Sequence, residues 1–179
     1  MENQAAFRAP WGTSVKVLTI FASVFLVGMA AFEGSILPRH LLGGWPWLVA
    51  TALPPLIVAL SALFIVRSYT IDGSTLRVRR LLWDTAVSLE SLQRAWSSPD
   101  AMRRSLRLFG NGGLFSITGL FRNRQLGNYR AFAMDPRLAV VLDFADRKVV
   151  ITPETPERFL EQLKEVKPWV TIGAPAALA

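Results

Sequence analysis

The 179-residue chain contains no cysteine and a single histidine, His40. Without thiols it can form no disulfide, thiolate zinc site, iron–sulfur cluster or cysteine nucleophile. One histidine excludes a multi-histidine metal cluster within one chain and leaves little for a histidine-dependent catalytic triad. The sequence therefore predicts no metal, no cofactor and no catalytic residue.

Acidic residues are also few, since 13 Asp and Glu stand against 20 Lys and Arg for a formal net charge of +7. The carboxylates at Asp84, Glu90, Asp100 and Asp135 are spread over different predicted turns without visible pairing, so the acid–base pair of an enzyme is missing. An enzyme or transport subunit is accordingly the least favoured function. A basic surface attracts nucleic acid as well as anionic membranes, but no helix-turn-helix or RNA-reading motif occurs, and nucleic acid is not predicted as a partner.

Two long runs near the N-terminus contain no charged residue. The first begins at Val17 and reads VLTIFASVFLVGMAAF; the second begins at Trp45 and reads WPWLVATALPPLIVALSALFIV. A helix of about 20 residues crosses about 30 Å of hydrocarbon. The runs predict a transmembrane hairpin with helices at about 17–34 and 45–66, and Trp11 before it is expected in the headgroup layer.

Basic residues flank this hairpin at both ends. Arg8 and Lys16 precede the first span, and Arg67 opens a strongly basic C-terminal region. The positive-inside rule then places both termini in the cytoplasm, with residues 1–16 as a cytoplasmic N-terminal segment. The alternative is a signal peptide cut after Ala30, in which case the second span still delivers the C-terminal region to the cytoplasm.

From Arg67 onward the pattern changes to short alternating segments separated by turn residues, which is typical of β-sheet. Asp72-Gly73 predicts a tight hairpin between two strands, and alternation predicts further strands in TAVSLESL, LFSITGLF, LGNYRAFA, LAVVLDF and RKVVIT. Thr155 and Pro156 predict the start of a single C-terminal helix. Its apolar stripe comprises Phe159, Leu160, Leu163 and Val166.

The predicted fold class is therefore two N-terminal transmembrane helices followed by a mainly-β barrel of about seven strands, capped by a C-terminal α-helix. The barrel is expected over residues 67–168, and residues 169–179 are expected to be a disordered tail.

Two segments carry a family resemblance, LFGNGGLFSITGLFRNRQLGNYRAF and VVITPETPERFLEQL. With the order of strands, they resemble the bacterial pleckstrin-homology-like (PH-like) domain of small membrane proteins with N-terminal spanning helices. The resemblance covers about residues 67–166, with a mild departure at Ser116 and Ile117, where these families commonly have a glycine or an aromatic residue. It implies a PH barrel and no reaction, and it places the protein in the bacterial cytoplasmic (inner) membrane as a multi-pass protein.

The stretch GNGGLFSITGLF could cradle a phosphate or turn the chain. A dinucleotide-binding loop needs glycine at the third and sixth positions and a following helix, whereas this stretch continues as an alternating strand. A turn is therefore predicted, with positive φ between two strands and a bulge or close backbone approach at the last glycine. The residues assigned to these roles are Gly110, Asn111, Gly112, Gly113 and Gly119.

Six arginines without any acidic residue are interleaved with aromatic residues between Ala101 and Ala131. Guanidinium groups suit bidentate contact with phosphate oxygens, so these arginines either contact anionic phospholipid headgroups or form a solvated basic face that obeys the positive-inside bias. They are Arg103, Arg104, Arg107, Arg122, Arg124 and Arg130.

The favoured function is a membrane-anchored, non-enzymatic binding module. In this interpretation the exposed edge of the barrel or the groove beside its helix engages an unknown protein partner at the cytoplasmic membrane surface. The alternative is an anionic-lipid sensor or a homo-oligomeric scaffold that uses the arginine-aromatic segment 103–130.

Overall fold

The computed structural model describes residues 6–36 and 44–175. The two apolar runs form helices α1 (Thr13–Ile36) and α2 (Gly44–Ala62), which pack against each other. The predicted connecting loop, which contains His40, lies outside the described residues.

Both helices are long and apolar enough to cross a membrane. Only 17% and 6% of the residues in their most apolar stretches are buried, whereas the core helix of a soluble protein buries most of its apolar surface. Pro54 and Pro55 lie inside α2 without ending it. The described helix ends at Ala62, four residues before the predicted end of the span at residue 66.

In the described residues, one strand lies just before this hairpin, and ten further strands and one α-helix follow it. The strands are β1 (Ala6–Arg8), β2 (Ser68–Asp72), β3 (Thr75–Arg79), β4 (Asp84–Ser88), β5 (Leu92–Ser97), β6 (Leu106–Gly112), β7 (Ile117–Asn123), β8 (Gly127–Ala133), β9 (Val140–Phe144), β10 (Lys148–Ile151) and β11 (Thr171–Ile172). The helix is α3 (Pro156–Val166).

The strands form two sheets that enclose the main core. One has the order β1-β2-β3-β4, and the other has the order β11-β5-β9-β10-β8-β7-β6. Alternation sets the faces: in β3, Leu76 and Val78 are buried while Arg77 and Arg79 are exposed. Gly73, with φ of 54°, makes the predicted tight turn between β2 and β3.

The C-terminal helix closes the space between the sheets. Pro156 begins it, and Phe159, Leu160 and Leu163 are buried in the same cluster as the inner faces of the strands. Thr155 precedes the helix but makes no capping hydrogen bond with its side chain. The predicted fold class, an apolar helical hairpin and a mainly-β domain capped by a C-terminal helix, is confirmed.

The N-terminal segment is part of the barrel, although the sequence predicted only a cytoplasmic extension there. Strand β1 pairs antiparallel with β2, and the ring of Phe7 packs edge-on against Phe159 at 5.2 Å between centroids. Trp11, expected among headgroups, is half-buried against the core instead. The hairpin is thus inserted between two neighbouring strands, and cleavage after Ala30 would remove one of them.

The barrel also extends beyond its predicted limits at two other points. Val66, predicted to end the second span, is fully buried in the main core. Val170 is buried, and β11 pairs in parallel with β5 within the predicted disordered tail 169–179. Hydrogen bonding and burial hold this segment because its backbone completes the edge of the seven-stranded sheet.

Candidate functional site

A cavity of about 790 Å³ lies between the C-terminal end of α2 and the sheet face formed by β6, β7 and β8. One wall comes from the helix and its continuation, the other from the strands, and three arginines reach in among mainly apolar groups. Its lining comprises Ile57, Leu60, Ser61, Phe64, Arg80, Arg107, Phe109, Gly110, Asn111, Leu114, Thr118, Gly119, Leu120 and Arg130.

Arg80 is the most enclosed charged group of this lining, with 7% of its surface exposed. It directly follows β3, where the strand turns toward β4. Its Nε donates to Thr85 Oγ1 at 3.2 Å, and its Nη1 donates to the carbonyl of Phe64 at 3.4 Å. Its guanidinium carbon lies 5.6, 5.7 and 5.3 Å from the ring centroids of Phe64, Trp83 and Phe132.

A second guanidinium shares one of these rings. The Arg130 guanidinium carbon lies 4.9 Å from the centroid of the Phe132 ring. Arg130 belongs to β8 and is paired with Leu120 of β7. Burial lowers the pKa of Arg80, and the nearby charge of Arg130 lowers it further. Both effects make it unfavourable for Arg80 and Arg130 to be charged together unless an anion lies beside them.

No described carboxylate neutralises these arginines. The ion pairs of the described residues do not include Arg80, Arg107 or Arg130. Aromatic faces and neutral oxygens compensate part of the cost of burying a guanidinium. The remaining donors face a cavity whose dimensions and apolar walls suit an amphipathic anion.

The structure divides the six arginines of the predicted contact patch. Arg107 and Arg130 line the cavity. The other four lie toward the opposite end of β7, where the Asn123 amide donates to the Ala101 carbonyl at 2.7 Å and to Ser105 Oγ at 3.0 Å and so holds the preceding loop. These four are Arg103 and Arg104 in that loop, Arg122 near the end of β7, and Arg124 in the turn before β8.

Arg80 is not among the six arginines that the sequence predicted as headgroup contacts; it belongs to the basic region that begins at Arg67. The informative pattern is Arg80-Leu81-Leu82-Trp83, a basic residue followed by three apolar residues in a turn between two strands. Leu82 is 71% exposed, and Trp83 packs edge-on against Phe64 at 5.4 Å. The turn therefore places exposed apolar side chains beside the end of α2.

The glycine-rich stretch is a strand and a turn with no phosphate-binding loop. Gly110, Asn111 and Gly112, expected in the turn, lie in β6 instead. Gly110 pairs with Gly119 across the strands, and a Cβ on either glycine would lie 2.3 or 2.1 Å from a backbone oxygen. The two strands therefore approach so closely at this pair that only glycine fits.

The turn itself fastens the sheet to α1. Asn111 Oδ1 accepts hydrogen bonds from the amides of Gly113 at 3.2 Å and Leu114 at 3.0 Å. From the helix, Thr19 Oγ1 donates to the carbonyl of Gly113 at 3.3 Å and accepts from the amide of Phe115 at 2.8 Å. The β6–β7 turn thus rests against α1 six residues after the helix begins.

The carboxylates considered as catalytic candidates are mostly engaged by neighbouring arginines. Asp135 is buried and accepts from the Nε and Nη2 of Arg137 at 3.0 and 2.7 Å, which holds the pKa of its carboxyl below the usual value. Asp84 and Asp100 lie 3.9 Å from Arg79 and Arg103. Within the described residues, no group of three His, Asp or Glu side chains is placed to hold a metal ion.

Comparison with known proteins gives one family. A family model described as the bacterial PH domain matches residues 67–167, more than half of the chain. No curated protein and no solved structure matches significantly. The match confirms the resemblance seen in the sequence, and its span includes strands β2 to β10 and the helix α3. The chain therefore belongs to the bacterial PH domain family.

Proposed function

We propose that the protein is a membrane-anchored, non-enzymatic binding module whose cavity holds the phosphate of an anionic lipid headgroup. The observation that carries the proposal is Arg80, a buried guanidinium without a carboxylate partner that lies beside Arg130 in a cavity walled by α2. An oxyanion accepting from both guanidinium groups would offset their repulsion and the desolvation of Arg80.

The arrangement of the helical hairpin supports a location in the membrane. Its helices have mean hydropathies of 2.2 and 1.5 over their most apolar stretches and expose most of that surface. Since the hairpin connects the paired strands β1 and β2, both of its ends emerge on the barrel side. The basic residues on that side favour the cytoplasmic face of a bacterial inner membrane.

The lining of the cavity supports a lipid as its ligand. Ile57 and Leu60 of α2 continue the apolar surface of a membrane span into the cavity, so an acyl chain can follow the helix while the headgroup meets the arginines. Leu82 and Trp83 lie beside the end of that helix, where amphipathic and apolar side chains favour the membrane interface.

The same lining argues for binding without reaction. It contains arginines, one serine, one threonine and an asparagine, but no described Asp, Glu or His. Proton transfer at neutral pH needs a group whose pKa lies near that pH. We therefore propose that the cavity binds its ligand and catalyses no reaction.

The test compares the full chain with its Arg130→Gln variant in phosphatidylcholine nanodiscs with and without phosphatidylglycerol. We expect the variant to bind phosphatidylglycerol about fivefold to tenfold more weakly, since one basic group near an anionic headgroup contributes about 1 kcal/mol. Arg104→Gln is the matched control, because it removes the same charge outside the cavity. Equal losses of affinity for phosphatidylglycerol in the two variants would mean that the arginines act only through their general positive charge. That result would contradict the proposal.

A protein partner is a second candidate function, favoured by the edge of the larger sheet. Strand β6 is the last strand of that sheet, and Leu106, Leu108 and Phe109 are exposed along it. An open apolar edge can accept a strand from another chain. Since the chain has no cysteine, a single Leu108→Cys substitution allows crosslinking from this edge alone; absence of a specific adduct in membranes would exclude this candidate.

A further inference from the structure

A second groove, of about 490 Å³, lies beside the four-stranded sheet and is lined mainly by arginine. Its character differs from that of the first cavity, because no apolar helix surface contributes to it. The lining comprises Ala6, Arg8, Arg67, Ser68, Arg79, Arg80 and Asp84.

Strand register explains why these groups converge. Arg8 of β1 pairs with Ser68 of β2, Ser68 pairs with Arg79 of β3, and Arg79 pairs with Asp84 of β4. Directly opposite residues share a sheet face with Cβ atoms about 5 Å apart. The sheet therefore presents one arginine on each side of the Ser68 side chain, and Arg67 directly precedes β2.

The groove has an excess of positive charge. Its lining has four arginines and one carboxylate, and only the Arg79–Asp84 pair is close, at 3.9 Å with both side chains largely exposed. Within the described residues, Arg8 and Arg67 have no ion-pair partner. Such a cluster recruits an oxyanion, and the Ser68 hydroxyl adds a neutral donor.

The groove and the cavity lie at the same end of the molecule. Arg8 is five residues before the start of α1 at Thr13, and Arg67 is five residues after the end of α2 at Ala62. Arg80 lines both spaces. The two basic sites are therefore neighbours, both close to the point where the apolar helices meet the barrel.

We infer that the groove is a second phosphate site and that the ligand is a lipid whose headgroup carries two phosphate groups. One phosphate occupies the cavity at Arg80 and Arg130, and the other occupies the groove at Arg8 and Arg67. The inference rests on the proposed function for the first phosphate. A lipid source is favoured over a soluble diphosphate because the first site has an apolar wall for acyl chains.

The experiment uses the full chain in phosphatidylcholine nanodiscs that contain either cardiolipin, with two phosphodiesters, or phosphatidylglycerol, with one. Bound lipid is measured by native mass spectrometry. We expect the unaltered protein to prefer cardiolipin about tenfold, and the Arg8→Gln/Arg67→Gln variant to lose that preference while its affinity for phosphatidylglycerol stays unchanged. Arg104→Gln/Arg124→Gln removes the same charge elsewhere and is expected to keep the preference.

Two further variants separate this inference from the proposed function and from loss of folding. Arg130→Gln is expected to weaken both lipids, so an effect on neither would count against the first phosphate site. Arg8→Lys/Arg67→Lys keeps the charge and is expected to retain most of the preference. Thermal unfolding of each variant identifies any that fail to fold; if Arg8→Gln/Arg67→Gln does so, the single variants Arg8→Gln and Arg67→Gln, which alter one exposed side chain each, replace it in the comparison.

Two kinds of result would overturn the inference. One is a lipid affinity that does not depend on the groove, seen either as equal affinity of the unaltered protein for the two lipids or as a preference for cardiolipin that survives in a folded Gln variant of the groove. The other comes from inorganic diphosphate added to the protein in neutral nanodiscs: binding as tight as that of cardiolipin and lost in the groove variant would assign the site to a soluble diphosphate.

Discussion

At the scale of single residues, the phenol of Tyr69 is a polar group that is buried with hydrogen-bond partners. Tyr69 is fully buried, and its hydroxyl donates to the carbonyl of Phe132 at 2.5 Å and accepts from the amide of Thr152 at 3.2 Å. Burial raises the pKa of this phenol from 10.0 to about 12. Arg80 is the contrasting case, because its positive charge is buried while its neighbours leave it without an anion.

The raised pKa of Tyr69 predicts a loss of stability at alkaline pH. An unfolded chain releases the phenolic proton near pH 10 and the folded chain near pH 12, so this contribution is fully present below pH 10 and is lost as pH rises through 12. At about 1.36 kcal/mol per unit, the loss approaches about 2–3 kcal/mol. Thermal unfolding from pH 7 to 12 should show it in the unaltered protein.

Two substitutions separate this effect from other alkaline titrations. Tyr69→Phe is expected to lower the melting temperature at pH 7, because hydrogen-bond partners in the core lose the hydroxyl, and to flatten the decline above pH 10. Tyr129→Phe alters another buried phenol, which donates to Ser105 Oγ at 2.7 Å, and it should leave most of the alkaline decline in stability. An unchanged alkaline decline in Tyr69→Phe would contradict the assignment.

At the scale of elements, the β6–β7 turn couples the sheet to α1. Thr19→Val keeps the shape of the side chain and removes both hydrogen bonds to the turn. We expect the amide of Phe115 to exchange with solvent about tenfold faster, since the two bonds together contribute about 1–2 kcal/mol.

A matched control for this prediction exists in the second helix. Thr51 donates to the carbonyl of Trp47 in its own helix at 2.9 Å, so Thr51→Val should leave exchange at Phe115 unchanged. Equal protection of the Phe115 amide in the unaltered and Thr19→Val proteins would mean that the turn is held by other contacts.

Elements with a clear period were predictable from sequence. In β3 the alternation of Leu76 and Val78 with arginines follows from one buried and one solvated face. Pro156 and the apolar stripe that follows it indicated α3 because they match the start signal and period of a helix. The two helices of the hairpin likewise follow from the length of their uncharged runs.

Other elements depend on partners far along the chain. Strand β1 has only three residues and forms because β2 lies beside it after the entire hairpin, and strand β6 exposes nearly all of its side chains, so it shows no alternation. The site follows the same rule. Arg80 is buried because Phe132 and Phe64 pack around it, and no local pattern encodes contacts of that separation.

At the scale of the whole molecule, the barrel is completed by residues on both sides of the helical hairpin. Phe7→Ala is expected to destabilise the barrel by about 3 kcal/mol, as for other buried aromatic truncations, because it opens a cavity against Phe159. Thermal unfolding of the full chain followed by tryptophan fluorescence measures the change.

Phe32→Ala provides the comparison, since this α1 side chain is exposed and its loss should shift the barrel transition little. Equal shifts in the two variants would contradict the role of β1. The prediction also implies that residues 67–179 alone form an incomplete barrel, because β1 and Phe7 are missing from that fragment.

The central claim is that an anionic headgroup lies in the cavity between α2 and the sheet. The most direct measurement is photocrosslinking of the full chain in nanodiscs with phosphatidylglycerol that has a photoreactive group in its headgroup, followed by peptide mapping. The account predicts adducts around residues 57–64, 80–83 and 107–114, which line the cavity or flank it. Adducts concentrated instead around Arg103, Arg104 and Arg124 would contradict it.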